Sequence, residues 1–138
     1  MRETILFCLL FAISSCAHLN NQAPLYNQLG EMEGITKIVD SLLHEISTDA
    51  KVLPLFSNTN IKRFRSKLSE QICDISGGPC EYSGDTMEET HRNLNITRNQ
   101  FNSLVEDLIR AMEKNSISVP AQNELLKRLA KMYPDIKH

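Results

Sequence analysis

The sequence predicts an all-α domain. Apolar residues recur at helical intervals along most of the chain, no stretch alternates apolar and polar residues as a half-buried strand does, and helix start and stop signals separate the apolar stripes. With 138 residues the chain has room for one domain and a processed N-terminus. Its 15 basic and 17 acidic side chains give a net charge of −2 without a basic run, so nucleic acid is excluded as an expected partner.

Residues 1–15 differ in kind from the rest. Arg2 precedes the apolar run Ile5-Leu6-Phe7-Cys8-Leu9-Leu10-Phe11-Ala12-Ile13, which is too short to span a bilayer and reads as an export signal. It ends in Ile13-Ser14-Ser15-Cys16, which resembles a bacterial lipobox. Cleavage before Cys16 would leave several acyl chains on that cysteine, more than stable anchoring needs. Residues 1–15 are then a lipoprotein signal peptide, 16–24 a polar tether and 25–136 the folded domain. Ala17, in place of an aspartate, favours the outer membrane facing the periplasm in a Gram-negative cell. An ordinary signal peptide with a coincidental cysteine is the alternative.

The first long helix carries Ile35, Ile38, Val39, Leu42, Leu43 and Ile46 and starts in Gly30-Glu31-Met32-Glu33-Gly34. Val52-Leu53-Pro54-Leu55-Phe56 is long enough for one or two turns. Asn60 caps a second long helix with Ile61, Phe64, Leu68, Ile72 and Ile75 on one face, stopped at Gly77-Gly78-Pro79. Asp85 or Thr86 starts a brief element ending near His91. Thr97 with Gln100 forms a capping-box pattern ahead of Phe101, Leu104, Val105, Leu108, Ile109 and Met112. Ser118 and Pro120 open a last helix with Leu125, Leu126, Leu129 and Met132 inward, and Pro134 is expected to stop it. Four substantial helices and two short ones result.

Once Cys16 is lipidated and Cys8 removed, Cys73 and Cys80 remain in an oxidising compartment. Two readings stand: a disulfide closing a small loop, or two free thiols, one in the core and one exposed.

From Leu25 to Ile136 the chain resembles the truncated haemoglobins, most of all group I. The likeness lies in an ordered set: Tyr26-Asn27-Gln28-Leu29-Gly30, Leu55-Phe56-Ser57-Asn58-Thr59-Asn60, Gly77-Gly78-Pro79 followed by Tyr82-Ser83-Gly84, and His91 followed by Leu94-Asn95-Ile96-Thr97 and Phe101. The resemblance implies a globin-like two-over-two helical sandwich around one haem b, iron protoporphyrin IX. It makes His91 the proximal iron ligand, an imidazole oriented by a hydrogen bond from its other ring nitrogen. It sets Phe56, Phe64, Leu68, Tyr82, Met87, Ile96, Phe101 and Val105 around the cofactor, and Thr59, Lys62 and Arg65 toward the haem propionates.

The informative departure lies opposite His91. Group I relatives carry Phe-Tyr in the first long helix and often a glutamine on the second, whereas the aligned residues here are Leu42-Leu43 and Leu68. The distal pocket of Leu43, Phe64 and Leu68 therefore lacks the donor that steadies oxygen, and fast oxygen release with ready oxidation to the ferric state is expected. His44, about 100° around the helix from Leu43, and Lys67, beside Leu68, are the two side chains that could supply polarity there.

Three functions follow. The first is a lipid-anchored haem globin that reversibly binds a diatomic gas, O2, CO or NO, with oxygen transport among its expected roles, and that depends on an electron donor; the donor-free pocket argues against efficient oxygen storage. The second is an enzyme on the same fold, a nitric oxide dioxygenase or weak peroxidase, although no acid–base group is evident for O–O cleavage. The third is a haem-free helical lipoprotein acting as an interaction module, against which His91, Phe56 and the apolar lining argue.

Overall fold

Helix caps and apolar stripes divide the chain into the elements seen in the computed structural model, which describes residues 23–136. These are α1 (Leu25–Gln28), α2 (Glu31–Thr48), a 3-10 turn (Leu53–Phe56), α3 (Ile61–Ile75), α4 (Met87–His91), α5 (Arg98–Lys114), α6 (Val119–Ala130) and α7 (Tyr133–Ile136). Among the described residues there is no strand. The proposed signal peptide, Cys16 and most of the tether lie outside the described residues. Pro24, assigned to the tether by sequence, already belongs to the fold: its carbonyl accepts hydrogen bonds from Asn27 and Gln28 at the start of α1.

The corner between α1 and α2 needs two glycines. Gly30 sits at φ 84°, and a Cβ at Gly34 would lie 2.1 Å from the Leu29 carbonyl oxygen. Beyond that corner α2 packs against both α3 and α5. Ile35, Ile38, Val39, Leu42 and Ile46 are buried, together with Ile72, Leu108, Met112 and Leu125 from the surrounding helices.

Caps act where the sequence put them. The Asn60 side chain accepts from the Arg63 amide at 3.0 Å, and both halves of the Thr97–Gln100 capping box are formed. The start of α4 is settled in favour of Thr86, while Asp85 pairs with Arg63 at 3.0 Å.

Four expectations are corrected. Ile61, assigned to the apolar face of α3, is exposed, because it is the first residue of the helix and lies at its solvent end. Pro134 does not stop the last long helix. That helix ends at Ala130, and Pro134 occupies the first turn of the separate helix α7, where its missing N–H costs nothing. Short elements number four rather than two, since α1 and α7 join the 3-10 turn and α4. On α5 the predicted stripe is only partly the buried face: Leu108 and Met112 are buried, but Ser103, Asp107 and Ala111 are buried with them, while Phe101, Leu104, Val105 and Ile109 stay half-buried.

The polar side of α5 faces α2. Ser103 Oγ donates to Asp49 at 2.6 Å, Arg110 pairs with Glu45 at 2.9 Å, Lys114 also binds Glu45, and Asn115 donates to Ser41 at 2.9 Å. Asp107 is fully buried, with one oxygen on Arg110 and the other unpartnered. Burial pushes its carboxyl above the ordinary value, and the neighbouring Asp49 adds to the effect.

Beyond α3 the chain doubles back through a tight link. Cys73, fully buried on α3, and half-buried Cys80 are joined as a disulfide, with Cα atoms 5.8 Å apart. The loop between them passes under the Tyr26 ring, where a Cβ on Gly78 would come within 2.5 Å of that ring. Asp74 accepts from the Tyr82 amide at 2.9 Å and holds the returning strand of chain against α3.

Two outcomes are expected. Replacing Cys73 and Cys80 by alanine opens a loop of sequence separation 7, and chain-entropy arguments put the loss at about 2.5 kcal/mol; an unchanged urea midpoint would contradict this. Hydrogen bonds from Lys114 and then Arg110 hold the Glu45 carboxyl below its ordinary value of 4.5. A depressed carboxylate stabilises the fold above its unfolded pKa and loses that contribution as pH falls through the folded value. Glu45→Gln should therefore lower the denaturation midpoint near neutral pH and converge with the parent as pH falls through the folded-state value of Glu45; a constant offset across pH would show that the ion pairs contribute nothing.

Candidate functional site

Helix α4 is a single turn that a short helix cannot sustain by itself. It is held at its start by a full capping box, in which Thr86 Oγ1 accepts from the Glu89 amide at 3.2 Å and Glu89 accepts from the Thr86 amide at 3.0 Å. It ends at His91. The chain then turns sharply through Asn93 at φ 66° and Asn95 at φ 49°, left-handed conformations that asparagine tolerates better than most residues. From there Thr97 caps α5.

His91 is half-buried, and its Nδ1 lies 2.7 Å from the Met87 carbonyl oxygen. A carbonyl only accepts, so Nδ1 carries the proton and the lone pair of the neutral ring is on Nε2. That is the arrangement in which one ring nitrogen orients the imidazole and the other is left to bind a metal. His91 and Ile96 also line a cavity shared with Ile136 of α7.

The residues that the resemblance assigns to the cofactor share one property. Phe56, Phe64, Leu68, Tyr82, Met87, Ile96, Phe101, Val105 and Leu43 are all half-buried, while Leu42, Ile72 and Leu108 beside them on the same helices are buried. Apolar side chains held at intermediate burial on α2, α3, α4 and α5 suit the walls of a ligand cleft better than a closed core. Direct contacts join some of them. The Phe56 and Phe64 rings meet edge to face with centroids 5.1 Å apart, and Phe101 stacks in the same manner on Tyr133 of α7 at 4.7 Å. Tyr82 donates from its hydroxyl to the Asp85 carbonyl at 2.8 Å; burial, with Asp85 close by, pushes its phenol above the ordinary value.

The polar candidates fare unequally. Arg65 is paired: its guanidinium forms a two-pronged pair with Asp40 of α2, at 2.5 and 2.7 Å, which braces α2 against α3. Lys62 is exposed and Thr59 half-buried, and neither side chain makes a hydrogen bond to another described residue. Lys67 is engaged, with Nζ at 2.7 Å from both Glu70 and Ser83. His44 is exposed on α2.

One residue near the site escaped sequence reasoning. Gln71 on α3 is buried, and its amide nitrogen lies 3.3 Å from Met87 Sδ and 3.5 Å from Met132 Sδ. Its spacing from Leu68 and Phe64, three and seven residues on, was the available signal.

An imidazole so oriented, with apolar walls on the neighbouring helices, fits an iron porphyrin. Comparison with known proteins agrees. Residues 24–138 match the family model described as bacterial-like globin. The chain is 31% identical over 110 residues to a group 1 truncated haemoglobin of Nostoc sp. (strain MUN 8820), covering 80% of this chain and 93% of that protein. Among solved structures it is similar in fold to the truncated haemoglobin of Tetrahymena pyriformis in its Fe(III) form, with a TM-score of 0.78 at 22% identity over 82% of this chain and 97% of that one. It is also similar in fold to the 2/2 haemoglobin of a Synechococcus species, with a TM-score of 0.76 at 20% identity over 83% and 98%. The chain belongs to the bacterial-like globins, as a group 1 truncated haemoglobin with the two-over-two helical fold.

Proposed function

We propose that this globin carries haem b on His91 and reversibly holds a diatomic gas, O2, CO or NO, on the side walled by Leu43, Phe64 and Leu68. The observation that carries the reading is the 2.7 Å hydrogen bond from His91 Nδ1 to the Met87 carbonyl, within a chain of globin family. Haem, when bound, supplies an iron with one coordination position for an imidazole and another for a gas.

The side chains do the rest. His91 presents Nε2 in a set orientation, and its bond to the Met87 carbonyl raises the basicity of that nitrogen. Phe56, Met87, Ile96, Phe101 and Val105 would exclude water from the macrocycle, with Tyr82 beside them and Phe64 on the gas side. Lys62 and Thr59, the two polar candidates without a side-chain hydrogen bond to another described residue, would meet the propionates. Noncovalent retention suits this chain, because the two cysteines among the described residues are bonded to each other.

Leu43 and Leu68 leave oxygen without a donor. A hydrogen bond to a group gaining negative charge is worth about 1.5–3 kcal/mol, a term that matters for O2 far more than for CO. Gas exchange is therefore fast, oxidation to the ferric state is favoured, and an electron donor is needed to restore the ferrous form.

We further propose export and lipid anchoring through Cys16, with the globin facing the periplasm. The lipobox-like Ile13-Ser14-Ser15-Cys16 supports it, and a disulfide between Cys73 and Cys80 suits an oxidising compartment.

Reconstituted with haem, the protein is expected to give a Soret band and a CO-shifted ferrous spectrum that His91→Ala abolishes; identical spectra for the two proteins would refute the ligand assignment. Leu43→Tyr should slow oxygen release by roughly 10- to 100-fold in stopped flow while changing CO release little. In cells, the protein should partition into the detergent phase and lose that behaviour in Cys16→Ser, and an aqueous parent protein would exclude the anchor.

A further inference from the structure

We propose that Gln71 is a positioning residue for the His91 imidazole, acting through Met87. The proposal deepens the assignment of His91 as iron ligand and rests on it for its functional meaning.

Gln71 lies on the face of α3 that carries Phe64 and Leu68, and it is 7% exposed. Its Nε2 donates across to α4 at Met87 Sδ, 3.3 Å away, and to Met132 Sδ at 3.5 Å, in the segment between α6 and α7. Met87 is also the residue whose carbonyl takes the His91 Nδ1 proton at 2.7 Å. Two hydrogen bonds, one to the Met87 sulfur and one to its carbonyl, thus link α3 to the imidazole through a single residue.

The chemistry favours a positioning role over simple packing. Thioether sulfur is a weak acceptor, so a buried amide with two sulfurs as partners is poorly compensated for its lost water. A leucine would fill the same volume without that cost. Met87, by contrast, has three rotatable side-chain bonds and no fixed shape. In a one-turn helix, pinning its sulfur restrains the peptide that follows, and with it the oxygen that His91 needs. The second bond, to Met132, fastens the stretch that leads into α7, and α7 itself packs on α4.

The test compares Gln71→Leu, Met87→Leu and the double variant. In the metal-free protein, NMR should show the His91 Nδ1 proton exchanging with water at least about threefold faster in Gln71→Leu than in the parent. With haem loaded, the same variant should shift the ferrous iron–histidine stretching band and the ferric/ferrous midpoint potential. In the Met87→Leu background, Gln71→Leu should add nothing to either, because the path through the sulfur is already cut. Should Gln71→Leu fail to fold, Gln71→Met offers a flexible apolar replacement with the same readouts. A lowered denaturation midpoint with unchanged proton exchange and stretching band would reduce Gln71 to a core filler, and so would fully additive effects in the double variant. If haem spectra prove independent of His91, the ligand assignment falls, whereas the metal-free exchange measurement still decides whether Gln71 orders that ring.

Discussion

The packing of α2 between α3 and α5 is the constraint on which the rest of the structure depends. Ile35, Ile38, Val39, Leu42 and Ile46 are all nearly inaccessible to water, and each buried side chain of this kind contributes roughly 1.5–3 kcal/mol. The ion pairs on the same interfaces, Arg65 with Asp40 and Arg110 with Glu45, are partly exposed and worth about 1 kcal/mol or less each. Apolar burial therefore drives association of the three helices. The charged pairs act on register, since Asp40 and Glu45 face different neighbours from successive turns of α2.

That arrangement leaves α4 with almost no adhesion of its own. Five residues cannot form a stable isolated helix, so its position is imposed from outside. The Thr86–Glu89 box holds one end, Gln71 holds Met87 from α3, and α7 covers another side. The disulfide and the Asp74–Tyr82 bond shorten the free path from α3 to this element. A ligand helix assembled from such borrowed supports is responsive to its surroundings, which is where variation in the reactivity of His91 can arise without any change at His91 itself.

The side of the cleft opposite His91 follows different rules. Leu43, Phe64 and Leu68 offer dispersion contacts but no proton to share. Lys67, the nearest cation by sequence, is spent on Glu70 and Ser83, and hydrogen bonds from Lys67 and then Ser83 keep the Glu70 carboxyl below its ordinary value. Polarity has moved elsewhere in this molecule: to the α2–α5 interface with Asp107, and to Gln71 at the boundary of α3 and α4.

Much of the architecture was legible along the chain because helix signals are local. Asn60, Thr86 and Thr97 act on amides three residues away, and the α2 stripe repeats within each turn, so the caps and the four long helices follow from neighbouring residues alone. His91, its proposed walls and Leu43 could be singled out only through the resemblance, since no local signal marks them. The rest required partners distant in sequence. Arg65 looked free until Asp40, 25 residues away, took it. The α2-facing side of α5 was hidden because Ser103 and Asp107 are polar and Ala111 is small, and because Asp49, the partner of Ser103, and Glu45, the partner of Arg110, lie more than 50 residues earlier. Gln71 read as a gap in an apolar face until Met87 and Met132 arrived beside it, 16 and 61 residues on. The sequence by itself determined the helices and, through resemblance, singled out His91. Only the tertiary structure decided which distant polar groups surround its helix, because bonds such as Gln71 to Met87 and Arg65 to Asp40 join residues that local chemistry does not bring together.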